Sequence, residues 1–160
     1  MTRDLALVFR PRPGMLAALP TPHVLETMRP LPCEPVAGTH PFVVGAAVVR
    51  GRATPIVDVG ALLGTPGDRR TSRWITVEVG GRVVGLAVDD VIGVRRLPGV
   101  LAEGTAPPLL AEAAHGAVSA LEVLDGELLV VLRGARLVPD DVWTALGERA
   151  SADAGAHGAR

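Results

Sequence analysis

Apolar residues along the chain fall into short aliphatic and β-branched runs, cut at close intervals by Gly and Pro. That punctuation marks a mainly β fold. Leu5 to Arg10 predicts a first strand, Pro11 to Gly14 a turn, and Met15 to Leu19 a weaker return strand. Thr21 and Pro22 predict a short helix, with Thr as N-cap and Pro at the first helical position. Val24, Leu25 and Met28 would share its apolar side, and Pro30 would end it. Leu31 to Pro41 is too Pro-rich for a central strand and reads as extended linker or edge.

Strands at Val43 to Arg50 and Ala53 to Val59 are expected around a tight Arg50-Gly51-Arg52 turn, then one helical turn at Ala61 to Leu63 closed by Gly64. Thr65 to Ser72 reads as a polar surface loop. The strongest local pattern is the hairpin Arg73 to Val88 turned by Gly80-Gly81, which sets Val77 opposite Val84 and Ile75 opposite Leu86. Thr76, Glu78 and Arg82 would then meet water. Asp89 to Leu97 alternates as a further strand. Val118 to Leu132 predicts a second hairpin around Asp125-Gly126, with Val123 facing Leu128 and Leu121 facing Val130. Val100 to His115 reads as loop with a helical turn near Leu109 to Ala114. A last helix opens at Pro139-Asp140-Asp141, burying Val142, Leu146 and Trp143. Residues 1–150 are expected to form the folded part, and the Ala/Gly-rich residues 151–160 a disordered tail. No fixed-period repeat exists, but the strand-hairpin logic occurs twice, which fits two small β-barrels sharing one hydrophobic core.

Composition narrows the function. Sixteen Arg, with no Lys, against seventeen Asp plus Glu leave a net charge of −1. A general nucleic-acid binder needs a basic surplus, so none is expected. With 48% hydrophobic residues the body is not intrinsically disordered. A single Cys excludes an internal disulfide and a multi-cysteine zinc site. The N-terminal apolar stretch breaks at Arg10-Pro11-Arg12-Pro13, unlike a signal peptide, and no apolar run reaches the roughly 18 to 20 residues that span a bilayer. The expectation is a cytoplasmic protein without membrane insertion.

Catalytic patterns are missing. The four His, at 23, 40, 115 and 157, include no close pair at metal-ligand spacing. Cys33 is a lone thiol between Pro32 and Glu34, and Ser72, Ser119 and Ser151 sit in no nucleophile elbow. Asp89 and Asp90, as strand neighbours, point to opposite faces and cannot flank one bond. Arg69-Arg70 and Arg95-Arg96 read most simply as solvated faces. No enzyme, cofactor or metal is indicated. A chain this small and this apolar leaves apolar surface exposed, so a binding module is the leading class.

The stretch Phe42 to Val59, with Gly45, Arg50-Gly51 and Pro55-Ile56-Val57-Asp58, followed by Leu62-Leu63-Gly64, resembles the signature of CheW-like chemotaxis coupling proteins. The resemblance continues through Val83 to Val91, Val94 and the hairpin Leu121 to Leu132, and upstream through Leu5 to Arg10 and Val24-Leu25-Glu26. It implies two SH3-like five-stranded β-barrels sharing a hydrophobic core, with short helices including a C-terminal one. It implies a non-catalytic adaptor between the cytoplasmic tip of methyl-accepting chemoreceptors and the regulatory domain of the histidine kinase CheA. Carried over by position, Val24 and Glu26 fall on the kinase-contacting surface, and Gly45, Arg50, Val91 and Val94 on the receptor-contacting groove or its support.

Each residue also has a plainer reading. Val24 packs locally, and alternation buries one of Val91 and Val94. Gly45 serves close backbone approach. Arg50 bonds turn carbonyls, and Asp58 is a structural acceptor at a strand end. Val48 replaces the family's usual Asn, and Val suits an apolar environment, so it is expected to point inward, where an Asn would cost about 1–3 kcal/mol. Two other readings compete. A flavin-binding split barrel would need a phosphate-binding cluster and a stacking aromatic that the sequence does not display. A CheW-like scaffold outside chemotaxis would keep the fold.

Overall fold

A computed structural model describes residues 4–37, 40–65, 71–98, 116–133, 137–138, 140 and 142–144. Its strands are β1 (Leu5–Arg10), β2 (Leu16–Pro20), β3 (Val24–Met28), β4 (Val43–Val49), β5 (Arg52–Asp58), β6 (Arg73–Val79), β7 (Arg82–Val88), β8 (Asp90–Arg96), β9 (Val118–Leu124) and β10 (Glu127–Leu132). A short helix, α1 (Val59–Leu62), follows β5. They form two five-stranded sheets, ordered β8-β1-β2-β10-β9 and β3-β6-β7-β5-β4.

The two sheets have one topology. Hairpin β1–β2 corresponds to β6–β7, hairpin β9–β10 to β4–β5, and strand β8 to β3. Each sheet contains one parallel contact, at the same place: β2 with β10, and β7 with β5. The sheet β3 to β7 is one continuous stretch of chain and is called here the continuous lobe. The other is assembled from β1–β2 and β8–β10, and is the split lobe.

Both faces of each sheet are covered, by different cores. Ala6, Val8, Leu16, Leu129 and Val131 fill the split lobe. Ala47, Ile56, Trp74 and Ala87 fill the continuous lobe. The alternate positions of the same strands, Leu7, Phe9 and Leu19 from one lobe and Val57, Ile75, Val77 and Leu86 from the other, meet in a shared core. Leu137, Val138 and Val142 close that core, with Asp140 and Val142–Thr144 helical. A mid-sheet strand therefore has no solvated side over its central residues. This corrects the expectation for Thr76, which is buried at 1% exposure and donates its hydroxyl to the Glu26 carbonyl at 3.3 Å.

Three of the four hairpins turn on dipeptides with positive φ: Arg50-Gly51, Gly80-Gly81 and Asp125-Gly126. The expected registers hold, Val77 with Val84, Ile75 with Leu86, Val123 with Leu128 and Leu121 with Val130. The helix expected from Thr21 is corrected. Thr21–His23 makes one 3-10 turn, and Val24–Met28 then pairs with β6 as a strand. Pairing along β6 outweighs the weak helix signal of a segment holding Val24 and Thr27. The expectation for Val48 is also corrected: it is 70% exposed on edge strand β4, between buried Ala47 and Val49. The turn at Leu109 to Ala114, Leu146 and the tail 151–160 lie outside the described residues.

The lobes are joined by a buried ion pair. Arg12, in the β1–β2 turn, donates from Nη2 to Asp58 Oδ2 at 2.7 Å, and their side chains are 9% and 2% exposed. The other carboxylate oxygen of Asp58 caps α1, accepting from the Ala61 N–H at 3.3 Å. Gly60 lets the arginine lie against the helix, since a Cβ there would stand 2.6 Å from its Cγ. Asp58 is thus a structural acceptor, in line with its plainer reading.

Candidate functional site

The local geometry of β3 and the β4–β5 turn builds one exposed polar pair. Val24 pairs with Val77 and Glu26 with Thr76, so Leu25 is an extra residue, a β-bulge in edge strand β3. Bulges re-aim side chains, and Leu25 stands 51% exposed beside Glu26. Arg50 occupies the first position of the β4–β5 turn with φ 49°, where its guanidinium reaches back to the opposite edge of the sheet. It donates from Nε to Glu26 Oε1 at 2.9 Å and from Nη2 to Glu26 Oε2 at 2.6 Å.

This two-point contact is the stronger form of an Arg–carboxylate bond. β3 and β4 are the outermost strands of the five, so the bond ties one edge of the continuous lobe to the other and marks the sheet as curled toward closure. The Arg50 hydrogen bond, aided by its charge, holds the Glu26 carboxyl below the ordinary carboxylate range. The same bond raises the Arg50 guanidinium. Arg50 remains 78% exposed. Beside the pair lies an open depression of about 360 Å³ lined by Leu25, Val49, Arg52, Glu78 and Val83 among others. Charged groups of both signs share its lining with the apolar Leu25, Val49 and Val83.

The other sequence-derived residues divide between the lobes. Val24 is half-buried and packs against the shared core. Val91, on β8, occupies the equivalent place in the split lobe and also packs there. Beyond it Ile92 is the extra residue of a second bulge, 41% exposed, as Leu25 is in β3. Val94 is the outward member of its pair, 55% exposed. Gly45 is buried and makes no exposed surface. The Glu34 carbonyl lies where its Cβ would be, and Glu34 and Ala46 exchange backbone hydrogen bonds at 2.9 and 2.8 Å. Its place is to admit the linker against β4.

Position-by-position transfer put Glu26 and Arg50 on different surfaces, whereas the structure bonds them to each other. Sequence reasoning passed over Leu25. A bulge cannot be foreseen from alternation alone. Among the described residues no group of three or more His, Cys, Asp or Glu could hold a metal ion.

Two five-stranded sheets around a shared core, with an exposed ion pair across the edges of one of them, define a two-lobed protein of the small β-barrel class. The CheW-like domain profile matches residues 7–142. The chain belongs to the CheW-like family, whose members are non-catalytic scaffold and adaptor proteins. It is 31% identical to protein FrzA of Myxococcus xanthus over 127 residues, covering 71% of this chain and 78% of that protein. Its fold is similar to the crystal structure of the scaffolding protein TtCheW from Thermoanaerobacter tengcongensis. The TM-score is 0.70 at 21% identity, covering 84% of this chain and 86% of that one. Among the described residues no helix is long and apolar enough to cross a membrane.

Proposed function

We propose that this protein is a cytoplasmic adaptor that couples methyl-accepting chemoreceptors to a CheA-type histidine kinase through the kinase's regulatory domain. The observation that carries the reading is the Glu26–Arg50 pair, bonded at two points yet open to solvent beside the exposed Leu25 bulge. An ion pair placed at the rim of an apolar contact sets partner orientation and association rate, and exposed Arg is an enriched interface anchor. Val24 and Glu26 lie on the kinase side. Arg50, Val91 and Val94 contribute to the receptor side, with Gly45 supporting it from beneath.

Co-sedimentation of receptor membranes with the kinase, with and without this protein, tests the reading. Kinase should pellet with receptors only when the adaptor is present, and the Arg50→Ala variant should carry less of it down. Equal kinase in the pellet without the adaptor overturns the proposal. So does an adaptor that binds neither partner, the result expected of a CheW-like scaffold working outside chemotaxis.

A further inference from the structure

Between β3 and β4, every residue from Arg29 to Pro35 except Cys33 is a proline or stands directly before one. Proline fixes its own φ at about −65° and keeps the residue before it out of the helical region. The segment is thereby biased to polyproline II, a helix of three residues per turn. Its exposure follows that period. Cys33 and Val36 are half-buried, the first packed on the core of the continuous lobe and the second on the shared core. Arg29, Leu31, Pro32, Glu34 and Pro35 are exposed, Leu31 at 38%. The row Pro30-Cys33-Val36 thus turns toward the protein over its last two members, and the rows Arg29-Pro32-Pro35 and Leu31-Glu34 face outward. The close approach at Gly45 and the two Glu34–Ala46 backbone bonds hold the segment down. Its shape is set before any partner arrives, which lowers the ordering cost of binding.

A groove can grip two rows of such a helix and leave the third outside, and aromatic-lined grooves recognise Pro-x-x-Pro segments in this way. Pro32 and Pro35 have that spacing, and Arg29 adds a cation one turn ahead of Pro32. We propose that residues 29–35 are a docking motif for another protein, one whose groove is lined by aromatic rings and bordered by an acidic side chain. Leu31, Pro32 and Pro35 enter the groove, and Arg29 meets the acid. Glu34, near the other end, sets the direction in which the segment lies, because the acidic border must stand at the Arg29 end alone. A second copy of the chain does not supply such a groove. It has no Tyr, Phe9, Phe42 and Trp74 are buried, and the Arg82 guanidinium covers the Trp143 ring at 5.0 Å. The inference is independent of the proposed function, since neither receptor nor kinase enters it or its test.

The probe is an isolated SH3 domain of the kind that binds Arg-x-x-Pro-x-x-Pro peptides, isotope-labelled for NMR and titrated with the unlabelled full chain to about 1 mM. Shifts should cluster at the aromatic residues of its groove and the acids beside them. They should saturate with a Kd between about 10 μM and 1 mM, as a small contact gives, and a proline-rich peptide that fills the groove should reverse them. Pro32→Ala and Arg29→Glu each change an exposed side chain. Each should keep the parent's melting temperature and weaken binding at least about tenfold, the size of an interface hot spot. Cys33→Ala, on the inward row, should bind as the parent does. An absence of shifts at about 1 mM, or shifts away from the groove, overturns the proposal. So does a folded Pro32→Ala or Arg29→Glu chain that binds like the parent, or a folded Cys33→Ala chain that does not.

Discussion

Arg12 of the split lobe and Asp58 of the continuous lobe bond at 2.7 Å in a place nearly closed to water. One carboxylate thus holds the two lobes together and caps the helix at their junction. Losing one member of a buried pair leaves the other charge uncompensated, at about 3–5 kcal/mol. Arg12→Ala should therefore lower stability by about that amount in urea unfolding. Combining Arg12→Met with Asp58→Asn removes both charges while the amide oxygen keeps the cap, and should recover most of the loss. A double variant no more stable than Arg12→Ala would mean that the packing of Arg12 over Gly60, not its charge, is what matters.

The exposed pair should behave in the opposite way. Arg50→Ala is expected to leave the melting temperature close to the parent's, as the loss of a surface ion pair does, while weakening kinase and receptor binding. Glu26→Lys should weaken kinase binding further, most visibly at low salt. Glu26 is depressed in the folded state by its bond to Arg50, so the pair's small contribution is present above the carboxylate's ordinary value. It is lost as pH falls through the lowered value. An NMR titration of the Glu26 carboxyl should show a midpoint below the ordinary carboxylate range in the parent and a rise in Arg50→Ala; coincident midpoints would rule out the bond in solution.

Val48→Asn should be nearly neutral, within about 0.5 kcal/mol, because the side chain is 70% exposed and an amide there stays hydrated. A thermal melt checks it. A shift equivalent to a loss of about 2 kcal/mol, the scale of a buried unsatisfied amide, would place Val48 inside.

Gly45→Ala should be among the most damaging single-methyl additions in the chain. The residue has φ 154°, and the new Cβ would collide with the Glu34 carbonyl. The linker must then lift from β4, losing its two backbone hydrogen bonds to Ala46. Faster amide exchange at Glu34 and Ala46 should accompany the lowered melting temperature. A variant with the parent's exchange rates would show that the linker does not depend on this approach.

The hairpins were legible in the sequence because positive-φ turns require particular dipeptides, and the two-residue spacing then sets every cross-strand partner. Arg50-Gly51 and Asp125-Gly126 are local facts. The strand at Val24–Met28 was not legible, since Thr21-Pro22 does start a turn and only β6, fifty residues on, makes the rest extended. Thr76 misled for a related reason. Alternation predicts which residues share a face, but not that the second face is the filling of a barrel. For the candidate site, the resemblance supplied Glu26 and Arg50 separately. Their bond depends on the sheet curling until side chains from its two edges can reach each other, a property of the whole lobe and of no local segment.

The split lobe also dictates an order of events when the chain is made. Residues 24–88, the whole continuous lobe, emerge from the ribosome before any of β8, β9 or β10. Until then the β1–β2 hairpin has no partner for either edge, although it carries Phe9 and Leu19, both fully buried at the end. Its parallel seam, Leu16 beside Leu129, closes last and across the longest span of chain, where loop entropy is most costly. A nascent chain stalled after β7 would therefore hold one finished barrel and one greasy hairpin searching for cover, and the surface nearest to it is the exposed half of the shared core.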